Sequence, residues 1–471
     1  MIPMSLAEIA QAVGGTVEWA TDRVEVTGRA FLDSRLVEPG GLFVAIPGEH
    51  VDGHDYAKRA VSAGAAAVLG ARPTGVPTVV VADPVEALGR LARHVVDQLE
   101  GLTVLALTGS QGKTGTKDLL AAVLATAGTT VATVGNANNE LGVPLTVLRA
   151  DQTTRHLLVE MGARGIGHIG YLCRVAPPSV AGVLNVGVAH LGEFGSREGV
   201  ARAKGEIVEA LPADGVAFLN ADDPRVAAMS SRTTARVLTF GTAETADVRV
   251  EDLRLDDVGR PRFTLVHQSV RAAVALHGLG AHQAMNAAAA AAAALGAGLA
   301  LAEIATALSE ADASSHWRME LIERGDGVRV INDAYNANPD SMRAALETLA
   351  GIGRRTGART LAVLGEMREL GDGAHEEHRA IGRLARELGI DEVVVIGPEA
   401  VGIVEGATRF EGSPQWASPL HAADVHEATA WLRETVRAPD VVLVKASRGA
   451  ELERVAQALL EDGAEGKEPG R

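Results

Sequence analysis

Cysteine is almost missing from this 471-residue chain: Cys173 is the only one. No intramolecular disulfide can form and no cysteine-rich zinc site can be built, which fits a reducing compartment. Aromatic residues are only 3% of the chain, so its cores must be built from Ala, Val, Leu and Ile. Basic charge is in deficit, with 44 Lys and Arg against 60 Asp and Glu and a net charge of −16. A nucleic-acid surface needs a basic face, so the balance argues against that class. Anionic substrates would have to bind in local pockets of Lys, Arg and helix N-termini. A long hydrophobic run is also absent. The nearest approach, Ala287 to Ala302, is mostly alanine and short of the ~18 residues a membrane span needs, so it reads as a closely packed helix with no membrane insertion. The first residues, Met1 to Glu8, carry no basic stretch and do not read as a secretory signal. The expectation is a cytoplasmic protein.

What is present begins with Thr108-Gly109-Ser110-Gln111-Gly112-Lys113-Thr114. It follows an apolar run, Leu102 to Leu107, that reads as a buried strand, and precedes a predicted helix over 117–127. Strand, glycine loop, Gly-Lys-Thr and helix make a phosphate cradle: backbone N–H groups face the anion, Lys113 reaches the outer phosphates, and the Thr114 hydroxyl is placed for Mg²⁺. Leu107 stands where the longer form of the motif has its first glycine, so the loop is a shortened variant.

At roughly 150 residues per domain the length suggests about three domains. Residues 1–100 mix short strands and helices. Residues 101–313 alternate apolar strands (102–107, 156–160, 180–186, 216–220) with helices, predicting a parallel sheet covered on both faces, with a β excursion near 247–276. Residues 314–471 give strands at 328–332, 360–364, 392–396 and 441–444, a second α/β unit of the doubly wound kind, with a polar tail from Glu461 expected to fray.

Strand ends are where open α/β sheets bind ligands. Glu160 closes a strand and can face Thr114 across a metal. His190 follows another in a glycine-rich loop. Lys204 sits on a helix and by itself reads as a surface cation. His282 and Asn286 share one face of the Ala-rich helix. Asn332 to Pro339, holding Asp333, Asn336 and Asn338, is an Asx-rich loop after a strand, and Arg318 and the 445–449 segment add positive charge near the same cleft. His375-Glu376-Glu377-His378 has its histidines three apart, not the spacing of a zinc helix, and reads as a solvated helix face.

In combination these motifs resemble the Mur ligases over essentially the whole chain. Asp33-Ser34-Arg35, Pro39-Gly40, Leu42 to Ala45 and Asp52-Gly53-His54 look like that family's UDP-binding domain, and Thr108 to Thr114 like its ATP loop. Asn138 to Pro144, Asp333 to Met342 and Leu364 to Gly371 look like the branch that adds D-alanyl-D-alanine. The resemblance implies a central P-loop parallel-sheet ATPase domain between an N-terminal UDP-binding α/β domain and a C-terminal Rossmann-like domain. It implies an ATP- and Mg²⁺-dependent amide ligase joining D-alanyl-D-alanine to UDP-N-acetylmuramoyl-tripeptide through an acyl phosphate, in peptidoglycan precursor synthesis, acting as a monomer.

The implied roles are specific. Lys113 would bind the γ-phosphate. Thr114 and Glu160 would hold one Mg²⁺, and His190 with a carbamylated Lys204 a second. Asn286 would contact adenine with His282 nearby, Asp333 the ribose, and Arg318 the phosphates. Asn336 and Asn338 would line the dipeptide side, Asn138 and Asn139 the substrate, and Ser34 and Arg35 the UDP moiety. Gln283 stands where the family often has Asn. The Asp-Asn-Pro-Arg motif of the diaminopimelate-adding relatives is missing, and one cysteine rules out the four-cysteine zinc ribbon of the lipid-linked amidating ones. Another Mur-type ligase or a folylpolyglutamate synthase-like ligase is the nearest alternative; a nucleotide-dependent switch is a different class. Whether the third residue of the tripeptide is diaminopimelate or lysine is not written in these motifs.

Overall fold

The computed structural model describes residues 1–20, 24–48, 51–187, 194, 196–312, 315–408 and 418–462. Three α/β domains follow one another, each built on its own main sheet. The first sheet has five strands in the order Thr16–Glu18, Thr78–Val80, Ala67–Gly70, Leu42–Val44, Ala30–Phe31, parallel except for the first pair.

The central sheet has nine strands. Thr130–Ala132, His156–Glu160, Thr103–Thr108, Val180–Val183, Val216–Asn220, Arg236–Gly241 and Val248–Leu255 run parallel in that order. Pro261–His267 and Val270–Ala275 continue it antiparallel, so the expected β excursion is an extension of the same sheet. Thr103–Thr108 lies between His156–Glu160 and Val180–Val183, buried on both sides, which brings the carboxyl ends of three strands to one edge. Fully buried parallel strands explain why these segments read as unbroken apolar runs.

The last sheet runs Glu320–Glu323, Arg329–Asp333, Val441–Lys445, Thr360–Leu364, Glu392–Ile396, Leu420–Ala422, antiparallel only at its first pair.

Packing departs from three separate cores. One buried cluster runs from Ile2 through Leu88 and Val95 to Val104 and Ala217, so the first domain and one face of the central sheet share a core. The helix Pro84–Gln98 is the bridge. A Cβ on its Gly89 would run into the Tyr171 hydroxyl of the helix His168–Val175, so the two helices touch where glycine leaves room. On the other face of the central sheet, Ala287 to Ala294 are all buried in the helix His282–Gly296. Alanine there brings the helix axis close to the strands, and the apolar stretch is spent on tight packing. Cys173 is buried too, which pushes its thiol up to about 12.

The expectation of a solvated helix face over 375–378 holds for His375 and Glu376 and fails at His378. His375 is half exposed beside Glu405, but His378 is buried in the helix Ala374–Glu387. Its Nε2 accepts the Met367 N–H at 2.8 Å and its Nδ1 lies 2.7 Å from the Ala374 carbonyl, so it pins a loop to a helix. Burial holds its pKa below the ordinary histidine value. The tail is helical as far as Asp462 and otherwise lies outside the described residues.

Candidate active site

The glycine loop begins where Thr103–Thr108 ends. Gly112 is left-handed at φ 77°, and a Cβ there would lie 2.6 Å from Asn286 Oδ1, so both conformation and space call for glycine. The helix Lys113–Ala125 starts directly after it with no side chain capping its N-terminus, which leaves its first N–H groups for an anion. Lys113 Nζ donates to the Gly109 carbonyl at 2.8 Å. Its pKa is lowered, first by burial and less by Arg318, against the pull of Glu160. The loop's earlier donors are engaged elsewhere: the N–H groups of Ser110 and Gln111 both reach Asn185 Oδ1 at 3.0 Å. The Thr108 hydroxyl is buried with no partner among the described residues.

Thr114 Oγ1 donates to Glu160 Oε2 at 3.1 Å, and the other oxygen of Glu160 accepts Asn138 Nδ2 at 2.7 Å. A hydroxyl beside a carboxylate is a hard oxygen pair of the kind Mg²⁺ takes. Among the described residues no three His, Cys, Asp or Glu side chains cluster as a metal cage. Lys204, on the helix Arg197–Glu209, is buried rather than on the surface. Desolvation first, and then the charge of Lys113, drive its pKa well below the usual lysine value, with Glu160 opposing. His190 lies outside the described residues.

The facing wall comes from the last domain. Arg318 sits between Trp317 and Met319, at φ 60° and 50°, with its guanidinium 4.1 Å above the Tyr335 ring. Arg448 stacks likewise over Trp317 at 4.2 Å. Asp333, expected at the ribose, already accepts the Met319 N–H at 3.1 Å and Lys445 Nζ at 2.6 Å. His282 is half-buried beside this pair, and desolvation first holds its pKa below the ordinary value. Asn286 Nδ2 donates to Gln283 Oε1 at 3.0 Å, so Gln283 orients the amide that faces Gly112.

Several asparagines serve the backbone. Asn338 caps the helix Pro339–Thr356, accepting Ser341 N–H at 2.9 Å; Asn139 accepts Gly142 N–H at 2.9 Å; Asn336 Oδ1 accepts Ala337 N–H at 2.9 Å.

One cleft of about 1130 Å³ collects these groups from all three domains, from Leu32 to Arg448. It exceeds the 300–1,000 Å³ or so of an ordinary small-molecule site and has room for a nucleotide and a second substrate. Of the described candidate residues, Thr108, Gly109, Ser34 and Arg35 do not line it. The Arg35 side chain is 75% exposed and pairs with Asp33 at 2.6 Å, which draws that carboxyl down to about 2. Asn185 and Tyr335 line the cleft but were not singled out from the sequence. The expected strand 180–186 runs through Asn185, but the strand ends at Val183, so a polar residue near its carboxyl end is the only signal that could have flagged Asn185.

Comparison with known proteins gives a consistent result. Models of the Mur ligase family match residues 31–97 (catalytic domain), 107–294 (middle domain) and 317–448 (glutamate ligase domain). The UDP-N-acetylmuramoyl-tripeptide–D-alanyl-D-alanine ligase of Mycobacterium tuberculosis is 47% identical over 98% of each chain, and that of Bacillus subtilis 35% identical over 98% of this chain and 99% of its own. Among solved structures, MurF from Acinetobacter baumannii superposes with a TM-score of 0.87 at 33% identity over 98% of this chain and 99% of its own. MurF from Thermotoga maritima in complex with ADP gives 0.80 at 31% identity over 93% and 99%.

Proposed function

We infer that this chain, which belongs to the Mur ligase family, is an ATP-dependent ligase that joins D-alanyl-D-alanine to UDP-N-acetylmuramoyl-tripeptide. The observation that carries the reading is the single cleft in which an uncapped helix N-terminus and Lys113 face Arg318 and the Asx loop of the last domain. ADP in the T. maritima relative supports ATP as the nucleotide.

The chemistry follows from the residues. A carboxylate is a poor electrophile until one of its oxygens becomes a phosphate leaving group. Bringing it to ATP sets two anions together, and the free N–H groups at the start of the helix, Lys113 and Arg318 offset that repulsion. Thr114 and Glu160 would hold Mg²⁺, which supplies charge neutralisation at the phosphates when bound. Lys204, with His190, would serve a second ion as a carbamate. The setting favours that modification, because the neutral amine adds CO₂ and releases a proton, and burial beside Lys113 lowers the lysine pKa and so raises the neutral fraction. Asn286, held by Gln283, would face the base. Asp333 is committed to Met319 and Lys445, so a ribose contact there would share oxygens already in use.

The division 1–100, 101–313 and 314–471, with UDP on the first, ATP on the second and the dipeptide against the third, is part of the proposal. So are closure of the last domain on the central one, a monomeric state and a cytoplasmic location. Among the described residues no helix is long and apolar enough to cross a membrane.

Phosphate release measured with each acceptor in turn tests the reading. Stimulation by D-alanyl-D-alanine supports it. Stimulation by diaminopimelate or L-glutamate alone points to a sister ligase, and slow hydrolysis indifferent to any amine points to a switch. Lys113→Ala, with its circular dichroism unchanged, is expected to lose roughly 10³-fold or more in turnover at saturating ATP.

A further inference from the structure

The segment after the strand Val180–Val183 is clamped to the phosphate loop. Asn185 Oδ1 accepts the N–H groups of Ser110 and Gln111 at 3.0 Å each, and its Nδ2 returns a hydrogen bond to the Gln111 carbonyl at 3.0 Å. The Asn185 carbonyl accepts the Ser110 N–H as well at 3.2 Å, and the Gly187 N–H reaches Ser110 Oγ at 2.9 Å. One amide therefore satisfies both donors and the acceptor at the crown of the loop. In a glycine-rich phosphate loop those N–H groups ordinarily turn to the anion. Here the donors left for phosphate are those at the uncapped start of the helix.

The chemistry of position 185 is narrow. Alanine would leave the Gln111 N–H and carbonyl without their partner, and the Ser110 N–H with only the backbone carbonyl of residue 185. Aspartate has the same shape and keeps both acceptor contacts, but when ionised it has no donor for the Gln111 carbonyl and puts a negative charge beside the anion site.

We propose that Asn185 is a positioning residue for nucleotide binding, holding residues 109–112 in the shape that presents the helix N-terminus to the phosphates. The proposal rests on the reading of this loop as the ATP site.

The test uses the full chain, Mg·ADP as the calorimetric probe, and steady-state phosphate release. Asn185→Ala is expected to weaken Mg·ADP binding and raise the ATP KM about tenfold, the loss of one to two net hydrogen bonds. The D-alanyl-D-alanine KM should stay within about twofold, because the clamp acts on the phosphate loop alone. Asn185→Asp should bind Mg·ADP more weakly still at pH 8. Should Asn185→Ala fail to fold, the isosteric Asn185→Asp carries the test. Wild type binding Mg·ADP with either folded variant equal to it would overturn the role of Asn185 alone. An equal rise in both KM values would also overturn it, as a general loss of structure. Wild type failing to bind Mg·ADP would overturn the ATP-site reading and the proposal together.

Discussion

Two lysines are buried on opposite walls of the cleft, and they are solved differently. Lys445, from the last domain, is 1% exposed, with its ammonium 2.6 Å from Asp333 and 2.8 Å from the Asn336 carbonyl. Lys204, from the central domain, is 6% exposed and has no ion pair or hydrogen bond among the described residues; its charged neighbours are Lys113 and, opposing it, Glu160. A buried lysine held by a carboxylate serves as a strut. One without a partner has its charged form disfavoured by burial, so its pKa falls and the amine becomes more nucleophilic. The last domain holds its buried lysine in a satisfied network, and the central wall keeps an unpartnered one where chemistry is expected.

The largest effect should come from Lys204→Ala. Turnover is expected to fall roughly 10³-fold, about 4 kcal/mol in the barrier, with partial rescue by acetate in the vacated space. Stability should move the other way with pH. The unfolded amine keeps its proton to about pH 10, whereas the folded one gives it up well below that, so the unfolded chain binds more protons between those limits. In CO₂-free buffer, wild type should therefore gain stability relative to Lys204→Ala as pH rises from 7 towards 9. Near-normal turnover without additive, or a flat difference in urea midpoints, would make Lys204 a strut like Lys445.

Lys445→Met tests the other wall. It leaves Asp333 buried without its cation, and urea denaturation should show a loss of about 3 kcal/mol. Adding Asp333→Asn should recover at least half, because the uncompensated charge is then gone. A single-mutant loss below about 1 kcal/mol would mean the pair is not what holds the wall.

Much of this was legible in the sequence, and the boundary has a physical reason. The strands His156–Glu160, Val216–Asn220, Thr360–Leu364 and Glu392–Ile396 were read to the residue, because strands buried on both faces are unbroken apolar runs. Glu320–Glu323 was missed: it is an antiparallel edge strand, half buried, with a glutamate at each end. The glycine loop was legible because its whole signal lies in seven residues. Its support was not, since Asn185 lies 75 residues from Ser110 and Lys445 lies 112 from Asp333. The burial of Lys204 was equally hidden, because a helix lysine followed by Gly205-Glu206 has no local mark of what packs over it.

The smallest expected effect concerns how the last domain delivers charge without neutralising it. Arg448 stacks on Trp317 but also pairs with Glu453 at 2.9 Å, so its charge is already answered. Arg318 stacks on Tyr335 and, among the described residues, has no carboxylate partner. A ring can hold a guanidinium through its quadrupole while leaving the positive charge free for phosphate, which a carboxylate could not do. Tyr335→Leu should therefore raise the ATP KM about two- to fivefold, the ~0.5–1 kcal/mol of an exposed cation–π contact, while Tyr335→Phe should match wild type. Equal losses in Phe and Leu would assign the effect to the hydroxyl. No loss in either would show that the left-handed residues at Trp317 and Met319 hold Arg318 in place by themselves.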